Sequence, residues 1–293
     1  MSRGNAALLV VLSAIWGSSF LFIKLGVDEL EPTVVALGRL FVGAAILLPI
    51  AASRGGLGLL RPHLRTVATL GLLNNALPFW LFGFAETRIS SGLAAVIQAA
   101  APIFTVLLAI RLDPSQRATG TRLAGIAVGF VGVALLVGAQ PHGKVLGALA
   151  VCGMALCYAV GQLLAGRHLR HVQPPVVALA TTAVAAIAAS PFGIAQAPGH
   201  MPGWKTVGSV LALAIPLTAV AFLLFYAIIA GAGAAYASLV TYLVPPIALA
   251  YGAVFLDEHF GAADFAALVL ILGGVVLGTG RVRLRRRELA SEA

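Results

Sequence analysis

Residues 101–113, APIFTVLLAIRLD, are answered 144 positions later by residues 245–257, PPIALAYGAVFLD. At that offset, without a gap, Pro102 falls on Pro246, Ile103 on Ile247 and Leu112-Asp113 on Leu256-Asp257. Outward from this pair, Gly129 falls on Gly273, Val131 on Val275, Phe82 on Tyr226 and Gln98 on Tyr242, and a two-residue shift sets Trp16 on Tyr158. Recurrence at a fixed spacing marks a duplicated unit. The expected units are residues 1–140 and 141–280, with a basic tail at 281–293.

Composition names the medium. The 293 residues are 60% hydrophobic and 10% charged, with a mean hydropathy of +1.01, against about 25% charged in a soluble domain. One water-facing domain cannot bury that much apolar surface, whereas a bilayer takes about 20 apolar residues per span. Ten apolar segments follow, at roughly 5–26, 32–53, 64–86, 89–110, 118–138, 144–166, 173–195, 206–231, 234–256 and 262–280. The links between them are short and carry turn residues: Glu31-Pro32, Gly55-Gly56, Asp113-Pro114, Pro141-His142-Gly143 and Pro198-Gly199. Neighbouring helices are therefore antiparallel. The first segment follows Arg3, lacks a small-residue cleavage pattern and exceeds a signal-peptide core, so it reads as an uncleaved span.

Five spans per unit is an odd number, so the second unit enters the membrane with opposite polarity. The fold class is all-α integral membrane: ten transmembrane helices as two inverted five-helix repeats around a central cavity. Two halves of similar energy can exchange conformations and open a midplane site to one side and then the other. Duplication without transport is the bland alternative.

Basic residues stay on the cytoplasmic side. With both termini inside a cytoplasmic (inner) membrane, fourteen Lys and Arg lie on the terminus side, including Arg54, Arg61, Arg65, Arg117, Arg167, Arg170 and the run Arg281–Arg287. Lys24, Arg88, Lys144 and Lys205 lie opposite, and Arg39 lies within a span. The net charge of +9 then points to the lipid bilayer as partner and not to nucleic acid, because the charges flank apolar runs instead of alternating with aromatics. Cys152 and Cys157 are five residues apart on one helix, face different directions and read as packing residues.

Ile15-Trp16-Gly17-Ser18-Ser19-Phe20, then Lys24-Leu25-Gly26, Pro32 and Arg39-Leu40-Phe41, resemble the opening of an EamA-type repeat of the drug/metabolite transporter superfamily. Both units also close in that manner, through Ala101-Pro102-Ile103 to Gly132-Val133 and through Pro245-Pro246-Ile247 to Gly273-Gly274-Val275. The resemblance covers almost the whole chain and is nearest to amino-acid exporters, those for aromatic amino acids included. Two departures are Asp113-Pro114, in place of the usual acidic end of the fourth span, and Tyr158, where a second Trp is common. The resemblance implies a cavity lined by helices 1, 3, 4, 6, 8 and 9, with helices 5 and 10 at the periphery.

The polar residues fall into stripes on those helices: Ser13, Trp16, Phe20 and Lys24; Asn75, Pro78, Phe82 and Glu86; Ser91, Gln98, Pro102 and Thr105; Tyr158 and Gln162; Thr218, Phe222 and Phe225; and Ser238, Thr241, Tyr242 and Pro245. Single Ser or Thr residues also serve as interhelical glue, worth about 0.6 kcal/mol each. Amides carry more polar atoms to satisfy. The expected substrate site is Trp16, Asn74, Asn75, Phe79, Phe82, Gln98, Tyr158, Gln162, Tyr226 and Tyr242, an amphipathic set suited to a zwitterion with an apolar or aromatic side chain.

Gly17, Pro78, Pro102, Pro245 and Pro246 are hinge candidates, since proline removes a helical hydrogen bond. Gly125, Gly129 and Gly132 in helix 5, with Gly274 and Gly278 in helix 10, offer faces for close contact. Arg39 pairs either with a carbonyl cluster or with a substrate carboxylate, and Lys24 and Glu86 near the outer ends read as snorkelling or gate residues. The absence of a mid-span Asp or Glu argues against carboxylate-based proton exchange, and a lone buried Arg provides poorly for a phosphate dianion. All six histidines fall in loops, so an enzyme is not expected, nor a cofactor or metal. The alternatives are an exporter of drugs or other metabolites within the same superfamily or, as a different class, a polytopic membrane channel, sensor or enzyme. The remaining partner expectations are a small-molecule substrate and a monomer or weak homodimer.

Overall fold

The computed structural model describes residues 3–55, 57–112, 120–138, 144–169, 172–221, 224–225, 228 and 239–278, and it is helical throughout that range apart from the connections. In chain order the spans are α1 (Arg3–Val27), α2 (Pro32–Arg54), α3 (Leu64–Gly71, a π turn at Leu72–Ala76, then Leu77–Glu86) and α4 (Ser91–Gln98, then Ala101–Leu112). They continue as α5 (Gly120–Gly138), α6 (Val145–His168), α7 (Pro174–Ala195), α8 (Trp204–Ala214 and a π turn at Ile215–Val220), α9 (Val240–Phe255) and α10 (Ala262–Gly278). Among the described residues, six stretches are long and apolar enough to cross a bilayer alone, and shorter apolar helices supply the other four.

Local chemistry sets the boundaries. Pro32 and Pro174 open α2 and α7 behind the extended residues Glu31 and Gln173, where a missing N–H costs nothing. Ser90 caps α4, its hydroxyl accepting from the Leu93 amide at 3.3 Å. Gly55, at φ 67°, ends α2 in the region that favours glycine. Two features differ from the sequence expectation. Residues Leu57–His63 add a 3-10 helix to a link that the sequence marked only by Gly55-Gly56. The fourth span also breaks at Ala99-Ala100, because Pro102 has no N–H for the Gln98 carbonyl.

Helix contacts follow a twofold that exchanges αn with αn+5. α1 packs on α9 as α6 packs on α4, α1 on α8 as α6 on α3, and α2 on α8 as α7 on α3. The pairs α2–α7, α4–α9 and α5–α10 are their own counterparts. This is the pattern of two inverted five-helix repeats.

The α5–α10 crossing is the closest. A Cβ on Gly274 would lie 2.5 Å from the Gly129 amide nitrogen and 2.6 Å from the Gly125 carbonyl oxygen. Large apolar residues point outward, among them Phe41, Ile187, Phe192, Val254 and Val269, all more than half exposed as a lipid-facing surface requires. Asp113-Pro114, Arg117, Pro141-His142-Gly143, Arg170, His171, Phe222, Tyr226, Ser238 and the tail with Arg281–Arg287 lie outside the described residues, as does the side chain of Gln162.

Candidate substrate cavity

A cavity of about 930 Å³ lies between the repeats. At one end its lining reaches Ala165, Leu169, Val172 and Pro174, at the α6–α7 connection on the side of the termini. Towards the other end it stops at Ile23 and Phe82. There the Phe20 and Phe82 rings meet at 5.0 Å and both are nearly buried, forming an apolar floor.

Most of the expected substrate residues converge on this space. Trp16, Asn74, Asn75, Phe79, Phe82, Gln98, Tyr158 and Tyr242 line it, with Pro102, Thr105, Thr218, Thr241 and Pro245. Two amide oxygens, Asn74 Oδ1 and Gln98 Oε1, are buried without a hydrogen-bond partner. Gly161 of α6 makes room for the first, since a Cβ there would overlap the Asn74 amide. The Trp16 and Phe225 rings stack at 5.3 Å, tilted 46°. α5 and α10 contribute nothing to the described lining.

Two walls were not expected. α2 supplies Arg39, and α7 supplies Val177, Ala178, Thr181 and Thr182, because the α2–α7 pair closes one flank of the cavity. The adjacent Thr181-Thr182 in the middle of an apolar run was the available signal. Thr181 Oγ1 donates to the Val177 carbonyl at 3.0 Å, so its own helix partly satisfies it. The π turns were also unexpected. Shifted by 144, the first falls at 216–220, inside the second at Ile215–Val220, and the two bring Asn74 and Asn75 from α3 and Leu217 and Thr218 from α8 to one cavity lining. π turns concentrate at functional sites, and here each loosens a cavity-lining helix at the same level.

The remaining candidates sit elsewhere. Pro78 is buried outside the lining, Pro246 is exposed, and Gly17 marks a close approach of α1 to α9, where a Cβ would stand 2.8 Å from Ile247 Cγ2. α9 runs unbroken through Pro245 and Pro246, unlike α4 at Pro102.

The end away from the termini is tied shut by polar bonds. Lys24 Nζ donates to the Glu86 carbonyl and, at 3.4 Å, to that of Ile89. Glu86 does not snorkel: its side chain is fully buried and neither carboxyl oxygen has a partner. Asp257, at φ 51°, takes a left-handed conformation that Asp tolerates and turns the chain so that Glu258 folds back over Gly252. Glu258 then accepts from the Ser91 amide at 2.6 Å, the Gly92 amide at 3.0 Å and the Ser91 hydroxyl at 3.0 Å. Reciprocally, Glu29 accepts from the Gly203 amide at 2.7 Å, ahead of α8. That bond, with the Thr206 hydroxyl, holds the Glu29 carboxyl below its ordinary value. Each repeat thus contributes a carboxylate to a helix start in the other, where the helix dipole favours negative charge.

Comparison with known proteins matches the EamA-like transporter family to residues 4–138 and again to residues 145–279. A probable terminal-alkyne amino-acid exporter of Streptantibioticus cattleyicolor is 30% identical, over 99% of each chain. A probable amino-acid metabolite efflux pump of Escherichia coli K12 is 27% identical over 98% of each. An uncharacterized inner membrane transporter of the same strain, YedA, is 29% identical over 92% of this chain and 89% of its own. One crystal structure superposes with a TM-score of 0.66 at 22% identity, covering 97% of this chain and 100% of the other, which is a likeness of fold.

Proposed function

The chain belongs to the EamA-like transporter family, and from that premise we propose that it exports amino acids with apolar or aromatic side chains by alternating access. It is an inner-membrane transporter and not an enzyme. Relatives described as exporters of amino acids or their metabolites support the finer reading.

The observation that carries it is the cavity itself. It is apolar and aromatic along Trp16, Phe79 and Phe82, polar at Asn75, Gln98 and Tyr158, open towards the termini and sealed at the other end. Such a space takes a small solute with one apolar and one zwitterionic end. The excess of basic residues on the terminus side favours that side as cytoplasmic, so this conformation is inward-facing. Each repeat, 1–140 and 141–280, would act as one body, bending near the π turns and at Pro102, Pro245 and Pro246.

Counterflow in proteoliposomes tests the reading. Vesicles preloaded with unlabelled phenylalanine should take up labelled phenylalanine or leucine saturably, without an ion gradient. Gln98→Ala and Trp16→Ala should each lower the uptake about tenfold, as the loss of one buried polar or aromatic contact does. Absence of counterflow across apolar, aromatic and polar amino acids would reject the substrate class, and unaltered kinetics in both variants would reject the pocket.

A further inference from the structure

Arg39 is the one charged side chain among the described residues that line the cavity. It has no ion pair or hydrogen bond to any described residue, and its Nε is buried without a partner. What holds it is aromatic: its guanidinium lies 4.1 Å from the centroid of the Phe79 ring, against the cavity wall near Tyr158. Phe79 attracts the guanidinium without neutralising its charge. A cation kept at depth with no counter-ion is costly, and such residues mark substrate pathways.

We propose that Arg39 is the specificity-determining anchor for the substrate carboxylate, and that the cavity takes carboxylates and zwitterions while turning away molecules that carry only a positive charge. This assignment rests on the amino-acid reading and deepens it. The guanidinium fork matches a carboxylate with two parallel hydrogen bonds. No Asp or Glu stands among the described lining residues, so a substrate ammonium is received by neutral acceptors such as the Asn75 amide or the Thr182 hydroxyl. For a lone amine the balance reverses, because it brings a second positive charge to a space that already holds one. A phosphate dianion would have only this single cation to meet its charge.

The test is ligand-induced thermal stabilisation of the purified full chain by four probes: phenylalanine, 3-phenylpropionate, phenylalaninamide and phenethylamine. Phenylalanine and phenylpropionate should bind at least tenfold more tightly than the amide and the amine. Arg39→Gln should erase that difference, and Arg39→Lys, a charge without the planar fork, should keep part of it. Phenethylamine binding as well as phenylalanine would overturn the proposal, as would an Arg39→Gln protein that still discriminates. If none of the four binds, the amino-acid reading itself fails and takes the anchor with it, whereas binding without carboxylate dependence removes the anchor alone. The probe series on the unaltered protein decides the matter even if Arg39→Gln does not fold.

Discussion

A Gly125→Val chain will not assemble the α5–α10 pair. A Cβ at Gly125 stands 2.8 Å from the Gly274 carbonyl oxygen and from Gly278 Cα, and closer still to the Gly278 amide nitrogen. These are backbone atoms, so no rotamer change relieves the overlap and the helices must move apart. Overpacking a rigid site costs about 1–3 kcal/mol, and this contact joins one repeat to the other, so the upper end or beyond is expected. Gly273→Val on the partner helix α10 is the control, since a Cβ there meets nothing within 4 Å. The check is the yield of monodisperse protein and its melting temperature: Gly125→Val should lose most of both, and Gly273→Val little. Equal behaviour of the two would show that the crossing is not close.

The second large effect is expected at Glu258. Replacing it by Ala removes three charge-assisted hydrogen bonds from the start of α4. Each is worth about 1.5–3 kcal/mol, partly replaced by water once the end opens. A net loss of about 2–3 kcal/mol would shift the balance between closed and open forms of this end by roughly 30- to 150-fold. The position equivalent to Glu258 at the 144-residue offset is Pro114, which has no carboxylate to offer α9. Spin labels at the exposed positions Thr87 and His259 report the opening. Glu258→Ala should add a longer-distance population, and an unchanged distance distribution would show that the bonds do not latch this end. The link at Glu29 adds a pH dependence of known sign. Its carboxyl is held below the ordinary value, so the bond persists above that value and is lost as the pH falls through the lowered one.

The ten spans and their inverted pairing were legible because both rest on long-range regularities, hydropathy over about 20 residues and a gapless offset, that survive local irregularity. The glycine faces were legible for a related reason: Gly125 and Gly129 on α5, like Gly274 and Gly278 on α10, stand four residues apart and so share one helix face. The cavity was legible in part. The amides betrayed themselves as costly in hydrocarbon and the aromatics by sharing their stripes, whereas α7 was missed because Thr181 and Thr182 look like ordinary interhelical glue.

The π turns at Leu72–Ala76 and Ile215–Val220 had no signature beyond nearby Pro78 and Pro216, since one extra residue in a turn leaves the apolar pattern almost unaltered. Glu86 was read as an end residue by its place in the sequence. Its burial depends on how α1, with Lys24, folds against the α3–α4 turn, which no count along one helix shows.

Alternating access to one central cavity is the claim on which the rest depends, and sided labelling of a single cysteine tests it most directly. With Cys152 and Cys157 replaced by alanine, Val177→Cys sits in the cavity wall towards the terminus side. A membrane-impermeant thiol reagent should modify it from the terminus side and not from the other. Saturating phenylalanine should slow that reaction and open a route from the opposite side. Equal labelling from both sides, indifferent to substrate, would describe an open pore and contradict the account.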